Sequence, residues 1–172
     1  MEAFSDLVSL LRYPAGATLL LTHVHPDGDV LGSTLGLGLA LRDAGHPVTF
    51  AGPHPVPEIY RFLPGAALVR QWSRASENPS TKDSEGSGGP YALVVMMDCP
   101  DPERANGLLE GARGPASRVL NIDHHPDNKR YGDVNWIVPT ASATGEMVYD
   151  LLIALGLPIT PAIATNLYTA IH

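Results

Sequence analysis

The sequence has a single cysteine, Cys99, which excludes an internal disulfide and fits a reducing compartment. It also lacks a long hydrophobic run. The nearest approach, Val30 to Leu41, is shorter than the roughly 18 uncharged residues of a membrane helix and is dotted with glycine. The first residues, Met1-Glu2-Ala3-Phe4-Ser5-Asp6, carry acids where a signal peptide carries Lys or Arg. The cytoplasm is therefore the expected location, with no membrane partner. Positive charge is scarce: 11 Lys and Arg against 18 Asp and Glu give a formal net charge of −7. That balance argues against a broad footprint on long duplex nucleic acid. A small phosphorylated substrate stays open, because bound dications reverse a local field. Aromatic residues are few, and Trp72 and Trp136 read as packing residues rather than platforms for stacked bases.

What the chain does have is enough apolar residues for one domain: 44% of 172. Apolar runs at Thr18–Thr22, 47–52, 67–71, Tyr91–Met97, Arg118–Ile122 and 133–138 read as strands. Between them, residues 2–12, Val30–Ala44, a piece at 58–63, Asp101–Gly111, Thr144–Leu155 and the stretch from Pro161 onward read as helices. Strands alternating with helices predict an α/β fold, a mostly parallel β-sheet flanked by helices. Gly45 and Gly156 suit the ends of their helices. Gly32, Gly36 and Gly38 inside one helix suggest close packing on the sheet, with approach of a ligand at Gly32-Ser33 as the alternative. Residues 73–90, rich in Ser, Gly and charge, cannot offset the entropy of ordering and read as a mobile surface loop.

Three of the strand-like runs finish in His and Asp. The first is followed by His23-Val24-His25-Pro26-Asp27-Gly28-Asp29, the fourth by Asp98, and the fifth by Asp123-His124-His125. The carboxyl ends of parallel strands line the ligand crevice of an open α/β sheet, so these clusters can converge. Helix capping by Asp29 explains one acid, not a His with two Asp. Carboxylates mixed with imidazoles suit Mn²⁺ or Mg²⁺. Phosphate ester hydrolysis needs an activated water and neutralised phosphoryl oxygens, which two metals supply. A bridging carboxylate and further acids are then required, and Asp27, Asp29 and Asp98 qualify. Smaller features take structural readings: Cys99 as a small residue, His46 and His54 as solvated turn residues, Ser142 or Thr144 as a helix cap with Thr144 preferred. Ser33 reads equally as a phosphate contact or a small helix residue.

At these residues the chain resembles the DHH phosphoesterase superfamily. The segment His23-x-x-Pro26-Asp27-Gly28-Asp29-x-x-Gly32-Ser33, then Asp98, then Asp123-His124-His125 is similar to its first three motifs. The Pro-Asp-Gly-Asp wording and Ser142-x-Thr144-Gly145-Glu146 resemble its oligoribonuclease/pAp phosphatase branch. The resemblance implies a Rossmann-like DHH domain over 1–172 and two Mn²⁺ ions, with Mg²⁺ as the alternative. It implies that His23 and Asp27 hold one ion, Asp29 and His124 the other, and Asp98 both. It implies that His125 faces the substrate phosphate and that Asp123 orients the histidine pair. Arg104 matches an Arg common after the second motif, with a phosphate or a structural role, and stands with Ser33 as the candidate substrate-binding pair. The implied substrates are short oligonucleotides or pAp-type nucleotides, and a homodimer is open.

Two departures stand out. The superfamily's fourth motif, an Asp, would follow Leu167-Tyr168-Thr169-Ala170-Ile171-His172, and no Gly-rich C-terminal substrate-binding domain is present. The sequence reads as the catalytic half, with an inactive metal- or nucleotide-binding fragment as one alternative. A DHH inorganic pyrophosphatase or cyclic-dinucleotide phosphodiesterase is another. His23-x-His25-x-Asp27 also resembles a metallo-β-lactamase-like zinc loop, but Gly28 stands where that loop has His.

Overall fold

The computed structural model describes residues 2–72 and 91–172, so the loop expected over 73–90 lies outside the described residues. Strand β1 (Thr18–Leu21) is buried at every position, as a strand covered on both faces requires. It pairs in parallel with β2 (Val48–Gly52) on one side and β4 (Tyr91–Met97) on the other. β3 (Val69–Gln71) lies beyond β2. β5 (Arg113–Asp123) and then β6 (Val134–Ile137) lie beyond β4. Among the described residues the sheet has six strands, all pairings parallel, in the order β3-β2-β1-β4-β5-β6. The chain builds outward from β1 in one direction, returns, and builds outward in the other. The order therefore reverses between β1 and β4, and such a reversal opens a crevice at the strands' carboxyl ends.

Alternate side chains feed two cores, as a period of two dictates. Leu20, Leu93, Val95 and Met97 face α1 (Glu2–Arg12), α2 (Gly28–Asp43), α4 (Thr144–Leu155) and α5 (Pro161–Ile171). Leu19, Leu21, Val94 and Met96 face a 3₁₀ turn at Pro102–Ala105 and α3 (Leu108–Ala112). Trp136 tilts against Phe4 with ring centroids 4.8 Å apart, and Trp72 packs beside Tyr91. Both are packing residues.

The glycines of α2 have a different partner from the one expected. A Cβ on Gly32 would sit 2.3 Å from the Asn166 carbonyl oxygen, and one on Gly36 would sit 2.7 Å from Leu167. Both therefore permit close approach of α5; only Gly38 packs on the sheet, against Phe50 and Leu20. The helix expected over 101–111 is broken in two. Asn106 and Gly107 adopt φ of 52° and 78°, which a right-handed helix cannot contain. β5 begins earlier than expected, at Arg113, with an irregularity in its pairing to β4 between Tyr91 and Leu93. Residues 58–63 contain a 3₁₀ turn, Glu58–Tyr60, rather than a longer helix. No helix among the described residues is long and apolar enough to cross a membrane.

Candidate metal centre

Five side chains converge where β1, β4 and β5 end. The possible ligand atoms of His23, Asp27 and Asp98 lie within 4.8 Å of one another, and so do those of Asp98, His124 and His125. Asp98 belongs to both groups. Its Oδ2 is 3.8 Å from His23 Nε2, and its Oδ1 is 3.6 Å from His124 Nε2 and 3.5 Å from His125 Nδ1. Asp29 lies beside the second group, its Oδ2 3.6 Å from His124 Nε2.

His23 and His124 are each oriented by the nitrogen that faces away from the acids. His23 Nδ1 faces its neighbour's carbonyl, Val24 O, at 2.8 Å, and His124 Nδ1 faces Ala141 O at 3.2 Å. A carbonyl only accepts, so these nitrogens carry protons and each Nε2 keeps its lone pair toward the carboxylates. Metal-binding histidines are held in this way. His125 Nδ1 lies 2.7 Å from Asp123 Oδ1, which also accepts the His124 and His125 amides. Asp123 is fully buried, and it fixes the turn that presents both rings.

The acids are held by local backbone and by a distant element. Asp27 caps α2, accepting the Val30 amide. The capping role considered for Asp29 thus falls to Asp27. Asp29 instead takes the Thr144 and Gly145 amides at 2.8 and 3.0 Å, capping α4 from another helix. This corrects the expectation that Ser142 or Thr144 caps α4. The residue at the cap position is Ala143, and Thr144 Oγ1 donates to Asp98 Oδ1 at 3.1 Å. Ser33, expected as a phosphate contact or a small helix residue, is fully buried and donates to Asp29 Oδ1 at 2.9 Å. It faces the acid rather than the crevice. Arg104 lies against the His23 ring, its Nη2 3.2 and 3.3 Å from the two ring nitrogens. Its carbonyl takes the Val24 amide.

Behind the site runs a hydrogen-bond network that composition and spacing did not reveal. Asn128 Nδ2 lies 2.5 Å from Asp123 Oδ2 and 2.7 Å from Asn121 Oδ1. The Cys99 carbonyl accepts from Asn121, Asn128 and Tyr131. Nothing in the sequence marks Asn128 apart from an amide in a turn. Burial pushes the Cys99 thiol up to about 11, so it remains protonated, and burial raises the Tyr131 hydroxyl as well. His25 is outside both ligand groups. His54, expected to be solvated, is only half-exposed and touches His25.

Burial, reinforced by the Asp98 charge, pushes the Asp29 carboxyl up to about 6, against the pull of its three hydrogen bonds. Burial alone would lower His125, but the Asp123 hydrogen bond and charge and the Asp98 charge carry it above its usual value. Acids crowded with lone-pair-bearing imidazoles are the donor set for a hard or borderline dication. A cleft of about 470 Å³ near Arg42, His46 and Arg70 contains none of these residues.

Residues 17–171 match the DHH family, N-terminal domain. The chain is 34% identical over 171 residues to the bifunctional oligoribonuclease and PAP phosphatase NrnA of Thermus thermophilus, covering 99% of this chain and 47% of that protein. It is 30% identical over 135 residues to the Bacillus subtilis protein of the same description, covering 77% and 37%. The chain thus spans about half the length, or less, of these curated relatives. Among solved structures, an exopolyphosphatase-related protein from Bacteroides fragilis superposes with a TM-score of 0.85 at 24% identity, over 99% of this chain and 49% of that one. Exonuclease RecJ bound to manganese gives 0.51 at 17% identity, over 96% and 41%. Both likenesses concern the fold.

Proposed function

The chain belongs to the DHH family, and from that premise we propose that it carries the metal-binding site of a phosphoesterase acting on short oligoribonucleotides and PAP-type nucleotides. The observation that carries this reading is the position of Asp98 in both ligand groups. A carboxylate shared in this way is what two neighbouring dications need. In this reading His23 and Asp27 would hold one Mn²⁺ and Asp29 and His124 the other, with Asp98 available to both. Bound there, the ions would supply charge neutralisation at the phosphoryl oxygens and activation of the attacking water.

The chain's own residues do the rest. Asp123 holds His125 with Nδ1 toward the acid, leaving the other ring nitrogen to meet a phosphate oxygen or leaving group. Arg104, beside His23, offers a guanidinium for the same phosphate. Thr144, Gly145 and Ser33 hold Asp29, and Thr144 also holds Asp98, so neither acid swings free before substrate arrives. The substrate class is that of the Thermus and Bacillus relatives.

The test is Mn²⁺-dependent release of phosphate from PAP and of mononucleotide from a dinucleotide. The expected outcome is turnover in the parent that His124→Ala abolishes, since the ring spans Asp29 and Asp98. Ion binding without turnover would leave a binding module. A chain that binds no Mn²⁺ would overturn the ligand assignment.

A further inference from the structure

We propose that His54 is a positioning residue for the loop that carries His23 and Asp27. Its ring nitrogen Nδ1 accepts the His25 amide at 3.0 Å and so holds the turn on which the first ligand group depends. The inference rests on the ligand reading above.

The loop between β1 and α2 has to reverse within a few residues. It does so at His25, whose φ is 52°. A left-handed conformation is unfavourable for a non-glycine residue, because Cβ crowds the following carbonyl oxygen. Pro26 follows directly, and a residue before proline prefers extended backbone. His25 therefore sits where neither its own preference nor its neighbour's would leave it. Two outside bonds compensate: the Val24 amide goes to Arg104 O at 2.8 Å, and the His25 amide goes to His54. The His25 and His54 rings also meet edge to face, with centroids 4.5 Å apart at 83°. An amide donates, so His54 Nδ1 presents its lone pair and the ring proton is on Nε2.

The reach of His54 is set by β2. Gly52, two residues earlier, is pressed against the residue preceding His23: a Cβ there would lie 1.9 Å from Thr22 Oγ1. The end of β2 is thus locked beside the end of β1, and His54 extends from it across to the loop. His54 is in neither ligand group, so its effect on an ion passes through the turn.

Two readouts test this, in the parent, His54→Ala and His54→Asn. Asparagine keeps an acceptor near the place of Nδ1. The first readout is deuterium exchange of the His25 amide by NMR in metal-free protein, with the Val24 amide, bonded to Arg104, as internal control. The second is Mn²⁺ affinity by calorimetry. His54→Ala should lose His25 protection while Val24 keeps its own, and should bind Mn²⁺ several-fold more weakly, up to the roughly tenfold that follows loss of a ligand's direct partner, because His54 acts one step further out through the turn. His54→Asn should restore both. Unchanged exchange and affinity in His54→Ala, or an Asn variant as impaired as the Ala one, overturns the proposal. A parent that binds no Mn²⁺ removes the ligand reading and the effect on affinity together, and His25 exchange then decides separately whether His54 holds the turn.

Discussion

Asp29 answers to two demands that pull its proton in opposite directions. In the unfolded chain its carboxyl ionises near 3.8, and in the fold near 6. Between those values the native state binds more protons, so stability falls as pH rises through this window and stays lower above it. The difference is on the order of 3 kcal/mol at neutral pH. His125, raised in the fold, acts in the same direction: its contribution is present below its ordinary value and is lost as pH rises through the raised one. Thermal melts of the chelator-treated chain between pH 4.5 and 7 should therefore show falling stability, and Asp29→Asn should flatten the slope; equal slopes would refute this account. The residue types of the site were legible because His and Asp at the ends of apolar runs have few structural uses. Their partners were not. Asp29 is bonded to amides 115 and 116 positions away, and Thr144 reaches an acid 46 positions away. Such pairings depend on the packing of α2 against α4, which no local pattern encodes.

At the scale of elements, the contact of α2 with α5 decides how its glycines behave. Gly32→Ala gains up to about 1 kcal/mol of helix propensity. Its new methyl, however, would meet α5 backbone at 2.3 Å, and overpacking of this kind costs about 1–3 kcal/mol. Net destabilisation is expected in chemical denaturation. Gly111→Ala is the contrast: α3 is helical there, a Cβ would meet nothing within 4 Å, and a gain of about 0.5–1 kcal/mol is expected. If both variants shift stability the same way, the close approach of the two helices is wrong. Strands were legible as apolar runs, and β4 matches its expected ends at both residues. The split between the 3₁₀ turn and α3 was missed, although Asn106-Gly107 is a pair that tolerates left-handed backbone. The early start of β5 was hidden by Gly114 and Pro115, residues that ordinarily mark turns.

For the whole molecule, the strand order brings ligands from three strand ends to one crevice, so an ion bound there ties together segments far apart in sequence. Mn²⁺ at a hundred times its dissociation constant should raise the melting temperature by roughly 5–10 °C for a chain of this size. Asp98→Asn should remove most of that shift, because both ligand groups share this residue. A shift that survives the substitution would place the ion elsewhere. The parallel sheet was legible from the alternation of strands and helices; the reversal beside β1 was not, because it depends on which edge each returning strand joins. The bond from Asp29 to the start of α4 also has a meaning for biosynthesis. His23 and Asp27 leave the ribosome early and Asp98 much later, yet beyond its bond to nearby Ser33, Asp29 gains its two backbone anchors only when Thr144 and Gly145 have been made. A nascent chain stalled before α4 carries every proposed ligand with Asp29 held by Ser33 alone, so the centre matures among the last parts of this fold to be synthesised.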